Sequence, residues 1–162
     1  MKSAPSKHDR IAEYKRRRNE TPFMRAHGLE VEEVAVGRVI IHLRQPQDHQ
    51  RGGGNNAGPA LNGGVVAYMF DGALGMSINS ALLDLPGAQD IDPNDLSQFT
   101  LNLSITYLNA AIGDRFEAQG NAVRVSRSTA FAEGRLLDEN GKICATANGV
   151  WRVFWPRTSR PA

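Results

Sequence analysis

The sequence predicts an α+β fold in which a curved antiparallel sheet wraps a single enclosed helix. Three observations lead there. Residues 62–83 are apolar at helical spacing on nearly every face, so no side suits water and other structure must enclose them. Four later segments alternate apolar and polar residues with a period of two. Short turn signals join those segments, and strands linked by hairpins pair antiparallel. One long apolar helix and one such sheet must cover each other.

The bulk numbers set the outer limits. A chain of 162 residues suits one domain with a real core. With 41% hydrophobic and 22% charged residues it has the composition of a folded globular protein, which argues against disorder. A net charge of +2 is too small to imply nucleic acid. The single cysteine, Cys144, cannot form an internal disulfide, and the first residues hold no apolar leader, so the expected location is the cytoplasm. A membrane span is not expected. It would need about twenty apolar residues, and Asp71, Ser77, Asn79, Ser80 and two glycines interrupt this run.

In chain order, residues 1–28 form a basic arm and residues 29–162 a single domain. Residues 7–20 suit a helix, with Ile11, Tyr14 and Arg18 on one face, and Pro22 limits its extent. The Lys15-Arg16-Arg17-Arg18 run reads as a solvated helix face, with an anion-facing arm as the alternative. Residues 34–43 alternate and read as one strand; residues 44–61 are a loop rich in Gly, Asn, Gln and Pro. Gly52-Gly53-Gly54 lacks the Gly-Lys-Ser/Thr of a phosphate loop. The apolar helix stops near Asp84, with Pro86 and Gly87 beyond, and the acidic residues 84–97 read as a surface loop or short lid.

The clearest strand follows, with Phe99, Leu101, Leu103, Ile105 and Tyr107 on one face and Thr100, Asn102, Ser104 and Thr106 on the other. Gly113-Asp114 marks a turn, and residues 115–125 and 129–138 are the next strands. Asn140-Gly141 is a hairpin signal. In the last strand, residues 143–155, Ile143, Ala145, Ala147, Gly149, Trp151, Val153 and Trp155 share a face whose small members leave room for something bulky across the sheet. The basic tail from Pro156 is expected to fray.

Chemistry concentrates at the central helix. Asp71 is its one charge, a poor helix former and costly to bury alone. Gly63 and Gly64 open the helix, where backbone N–H groups are unspent and the dipole is positive. The segment therefore joins an oxyanion-type donor to a carboxylate. Plainer readings exist for each: a carboxylate paired with a buried arginine, and glycines that allow close packing. His8, His27, His42 and His49 show no metal-ligand spacing, and His27 and His42 read as ordinary surface or satisfied residues. No Gly-x-Ser-x-Gly elbow is present, and Cys144, in an alternating strand, reads as structural.

With Asn62-Gly63-Gly64, Asp71 eight residues past Gly63, the strand from Thr100 to Leu108, Gly113-Asp114 and the closing hairpin in view, the chain resembles the hotdog-fold acyl-CoA thioesterases, and within them the phenylacetate-pathway-type family. The resemblance covers roughly residues 30–155 and departs from the family's usual His-Gly-Gly at Asn62. It implies that Gly63 supplies the amide that polarises the thioester carbonyl and that Asp71 is the catalytic carboxylate. Asn56 matches a side chain that holds the carbonyl or water, and Thr100 a hydroxyl that orients the water. A loop-turn residue and a plain strand threonine are the alternatives for those two. Asn62 and Gly64 fall in the substrate-binding turn. Arg124, Arg127 and Lys142 flank strand ends where they are placed to meet coenzyme A phosphates or, as plain edge residues, solvent. The resemblance calls for no metal and no cofactor, coenzyme A being part of the substrate.

Thioester hydrolysis builds negative charge on the carbonyl oxygen, which fixed N–H donors stabilise. A carboxylate ionised at neutral pH serves as general base or nucleophile, and apolar neighbours such as Tyr68 and Leu74 would raise its basicity. Gly63 and Asp71 stand eight residues apart, about 12 Å along one helix. One scissile carbonyl cannot touch both, since each contact needs about 3 Å. Each site is therefore expected to take Gly63 from one subunit and Asp71 from another in a two-fold homodimer, with further pairing into tetramers left open. The competing function is a non-catalytic acyl-CoA-binding module on the same fold. A hotdog dehydratase is a third option, generally built on a histidine that Asn62 replaces.

Overall fold

The computed structural model describes residues 6–52, 58–91 and 95–156. Two N-terminal helices, α1 (Lys7–Asn19) and α2 (Pro22–Ala26), lead into strands β1 (Leu29–Ala35) and β2 (Arg38–Arg44). The long helix α3 (Gly63–Leu82) follows, then β3 (Ser97–Tyr107), β4 (Arg115–Val125), β5 (Thr129–Asp138) and β6 (Ile143–Phe154). The six strands form one antiparallel sheet in the order β1-β2-β4-β5-β6-β3.

α3 lies across the sheet and is the centre of the core. Its length and composition would suit a membrane crossing, but 72% of its apolar window is buried inside the protein, which makes it a core helix. Val39, Ile41 and Leu43 of β2, Phe116 and Ala118 of β4 and Leu136 of β5 are fully buried with Phe70, Ala73 and Leu74 of α3. Close approach depends on glycine. A Cβ at Gly120 would stand 2.4 Å from the Ala73 carbonyl oxygen, so β4 meets the helix backbone itself there. The polar residues that interrupt the apolar run are ties. Ser80 Oγ accepts from the Gly37 N–H at 3.0 Å, and Asn79 Nδ2 donates to the Tyr14 hydroxyl at 3.1 Å.

Several sequence expectations are corrected. Residues 34–43 are not one strand: β1 and β2 form a hairpin that turns at Val36-Gly37, with Gly37 at φ +74°. Gly37 is the stretch's single breaker, and a two-residue turn needs no more. Consecutive strands do not all pair, because β3 lies beside β6 and not β4. The link 108–114 crosses three strand spacings, roughly 14 Å, well within the reach of seven residues, about 23 Å. It is fastened on the way, with Leu108 and Asn109 N–H groups both donating to the Cys144 carbonyl.

α3 is also not enclosed on every face. Gly63, Gly64 and Asp71 are exposed in the single chain, and Ala67, Tyr68 and Gly72 between and beside them are half-buried. The sheet wraps the helix only in part. The segment after α3 is packed rather than lid-like where described: Ala88 and Ile91 are buried, and Arg10 of α1 donates to both their carbonyls. The basic run of α1 is largely spent within the chain. Arg16 pairs with Glu13 and Glu20, and Arg18 lies 5.0 Å from the Tyr14 ring centre.

Candidate active site at the start and middle of the central helix

Asn62 is the N-cap of α3. Its extended backbone lets its side-chain oxygen accept from the Gly64 N–H at 2.8 Å, while its amide nitrogen donates to the Gly52 carbonyl at 2.9 Å. The Asn62 side chain is thus occupied in shaping the turn. Val65 and Val66 N–H groups both donate to the Asn62 carbonyl, at 3.0 and 3.3 Å. Of these first-turn amides, Gly63 N–H makes no hydrogen bond among the described residues. It belongs to the same peptide as the Asn62 carbonyl, and the two bonds accepted there polarise it as a donor. The helix dipole adds in the same sense.

Tyr107, at the end of β3, donates its hydroxyl to the Gly63 carbonyl at 2.9 Å and so pins the first turn. The sequence marks no such role, since Tyr107 simply continues an alternating face. An apolar cavity of about 340 Å³ opens beside Gly63, lined among others by Val66, Tyr107, Leu136 and Cys144. Cys144 is buried, which raises its thiol pKa, so the structural assignment from sequence agrees with its setting.

Asp71 lies two turns along the same helix, on the exposed stripe. Thr100 Oγ1 donates to Asp71 Oδ1 at 2.5 Å. Asp71 Oδ2 has no partner and no cation pairs with the carboxylate among the described residues. A β-bulge brings Thr100 there. The β3–β6 register shifts between Thr100 and Asn102, so Thr100 pairs with the buried Trp151 and Leu103 with Gly149. The expected common face of Phe99, Leu101 and Leu103 is therefore broken. Phe99 instead turns outward onto Phe154, at 5.4 Å between ring centres, while Gln98 and Thr100 face α3.

An aromatic cluster sits on the turn of α3 that precedes Asp71. Tyr68, one turn earlier, packs against Phe23 and His27 of the N-terminal segment at 5.6 and 4.9 Å between ring centres. The buried Gln50 donates to the Tyr68 hydroxyl at 2.8 Å. Leu74 is turned into the core, so Tyr68 is the expected apolar neighbour that borders the exposed stripe.

Gly63, Gly64, Asn62, Asp71 and Thr100 are thus gathered along α3. Asn56 lies outside the described residues. Arg124 and Arg127 are not brought to this stripe within the chain. Arg124 is exposed on β4 opposite Phe131, and Arg127 donates to the Pro86 carbonyl at 2.7 Å and stacks 4.9 Å from the Trp155 ring centre. His42 is not a surface residue: it is buried, with Nε2 2.6 Å from Glu32 and Nδ1 unpartnered. Among the described residues no group of three or more His, Cys, Asp or Glu could hold a metal.

Comparison with known proteins supplies the family. The model described as Thioesterase superfamily matches residues 58–145, which span Gly63, Asp71, Thr100 and Tyr107. The chain is 31% identical over 139 residues to the medium/long-chain acyl-CoA thioesterase YigI of Salmonella typhimurium, covering 82% of this chain and 85% of that one. Among solved structures, a thioesterase-superfamily protein from Shewanella oneidensis superposes with a TM-score of 0.77 at 18% identity over 93% of this chain and 99% of its own. The PaaI protein of the Escherichia coli phenylacetic acid degradation operon does so with 0.72 at 15% identity, over 94% and 97%. Helix, sheet order and matched residues together make this chain a hotdog-fold member of the thioesterase superfamily.

Proposed function

We propose that the chain hydrolyses acyl-CoA thioesters to free acid and coenzyme A, with the Gly63 amide as oxyanion donor and Asp71 as the carboxylate that activates water or attacks the carbonyl. The observation that carries this reading is the unspent Gly63 N–H at the dipole end of α3, beside an apolar cavity. Thr100 holds one oxygen of Asp71 and leaves the other open to a water or the reacting carbon. The alternative of a carboxylate paired with a buried arginine is not met: Asp71 is exposed, with no cation partner among the described residues.

Gly63 and Asp71 lie on one continuous helix, about 12 Å apart along its axis. A complete site therefore takes Gly63 from one protomer and Asp71 from its partner in a homodimer. The edge of β3 supports self-association. It is eleven residues long, pairs among the described residues only with β6, and exposes Phe99 and Leu101 beside its outer backbone edge. An uncovered edge of that kind is a liability, and pairing with a second copy removes it. Covering the exposed stripe of α3 would at the same time dry the site.

Thiol release from a panel of acyl-CoAs tests the reading. Asp71→Asn is expected to lower the rate by about a hundred- to ten-thousandfold while a non-hydrolysable S-alkyl-CoA still binds. Binding by both proteins with no thiol released by either would instead establish an acyl-CoA-binding module.

A further inference from the structure

Resting on the hydrolase reading, we propose that the cavity beside Gly63 receives the acyl tail, and that Ala111 and Cys144 set the length it accepts. The cavity lies under the first turn of α3. Val66 of the helix, Leu136 of β5 and Cys144 of β6 are its buried walls. The 108–114 link closes it from the side, through Ala111, whose carbonyl accepts from the Leu61 N–H at 2.9 Å.

A carbonyl held by the Gly63 amide sits at the rim of this space, so its carbon substituent has a mainly apolar volume next to it. The coenzyme A thiol then leaves toward the exposed stripe. Among the described residues no charged side chain lines the cavity; the Tyr107 hydroxyl is committed to the Gly63 carbonyl, and the Asn109 amide nitrogen donates to the Ile143 carbonyl. The tail it suits is therefore an uncharged hydrocarbon, and a terminal carboxylate would be buried there without a partner. At about 340 Å³ the cavity exceeds twofold the roughly 150 Å³ that encloses benzene, and takes on the order of ten carbons.

Ala111 is a small buried residue on the link, outside the strands. Ala111→Phe takes up part of the cavity's volume from the link and leaves the Gly63 and Asp71 residues themselves unchanged. The experiment is the kcat/KM profile over saturated acyl-CoAs from two to sixteen carbons, with a thermal melt to show that each variant is folded. Ala111→Phe is expected to lower decanoyl-CoA turnover by at least about tenfold while butyryl-CoA stays within about threefold. Cys144→Met should shift the profile the same way and carries the test if Ala111→Phe does not fold. An equal loss at all lengths, or none, in folded variants overturns the assignment. So does a suberyl-CoA rate matching that of octanoyl-CoA.

If the wild-type protein releases no thiol from any ester, the hydrolase reading fails, and calorimetry with S-decyl-CoA and S-butyl-CoA tests the cavity alone. Tenfold weaker binding of only the decyl compound by Ala111→Phe would support it. Equal binding of both compounds by wild type and variant would refute it.

Discussion

Thr100 Oγ1 donates to Asp71 Oδ1 across 2.5 Å, joining the edge strand β3 to the middle of α3. It is one of three such ties. Gln98 reaches the Gly75 carbonyl, and Tyr107 reaches that of Gly63, so β3 runs antiparallel along the helix and braces both ends of the site. A hydrogen bond to a charged group contributes about 1.5–3 kcal/mol, and this one selects the carboxylate rotamer. Thr100→Val is expected to lower kcat about ten- to a hundredfold with little change in KM, and Thr100→Ser to restore most of it. An unchanged kcat in the valine variant would remove Thr100 from the site.

Gly63→Pro separates the amide from the fold. Gly63 is the first helical residue, where proline is well tolerated because its missing N–H would be unspent anyway. Asn62 already has φ −62° and ψ 140°, the conformation a residue before proline prefers. The melting temperature should stay close to that of wild type. Turnover should fall about a hundred- to a thousandfold, as for other lost oxyanion donors. Normal turnover in this variant would show that the carbonyl is held elsewhere.

Mixing two dead proteins tests the shared site. Gly63→Pro and Asp71→Asn protomers, unfolded together and refolded at equal amounts, form mixed dimers in which one of two sites has both intact groups. Recovery of about a quarter of wild-type activity is expected from random pairing. No recovery, despite mixed dimers seen by native mass spectrometry, would mean that each protomer completes its own site.

Gly120→Ala addresses the fit of helix to sheet. The added methyl would lie 2.4 Å from the Ala73 carbonyl oxygen and 2.5 Å from its carbon, so helix or strand must move. Overpacking of this kind costs about 1–3 kcal/mol, and a chain of this size loses roughly 2–4 °C of melting temperature per kcal/mol. Asp71 stands two residues before Ala73, so activity should fall along with the melting temperature measured by calorimetry. A melt equal to wild type would show that the contact is softer than its geometry.

The sequence by itself determined the local elements and the residues worth watching. Periodicity alone carries α1, the long apolar helix and β4, β5 and β6 close to their observed ends, because each repeats a short pattern over ten or more residues. Gly63 and Asp71 stood out because a glycine pair at a helix start and a lone carboxylate within an apolar helix are chemically conspicuous. Tertiary structure decided what those residues meet. The place of β3 beside β6, the bulge that turns Thr100 toward Asp71, the Tyr107 bond to Gly63 and the cavity wall at Cys144 all join residues more than 25 positions apart. A period of two records which side a strand buries, but not its neighbour, nor the extra residue that reverses its phase. Those depend on how the whole sheet closes over the helix.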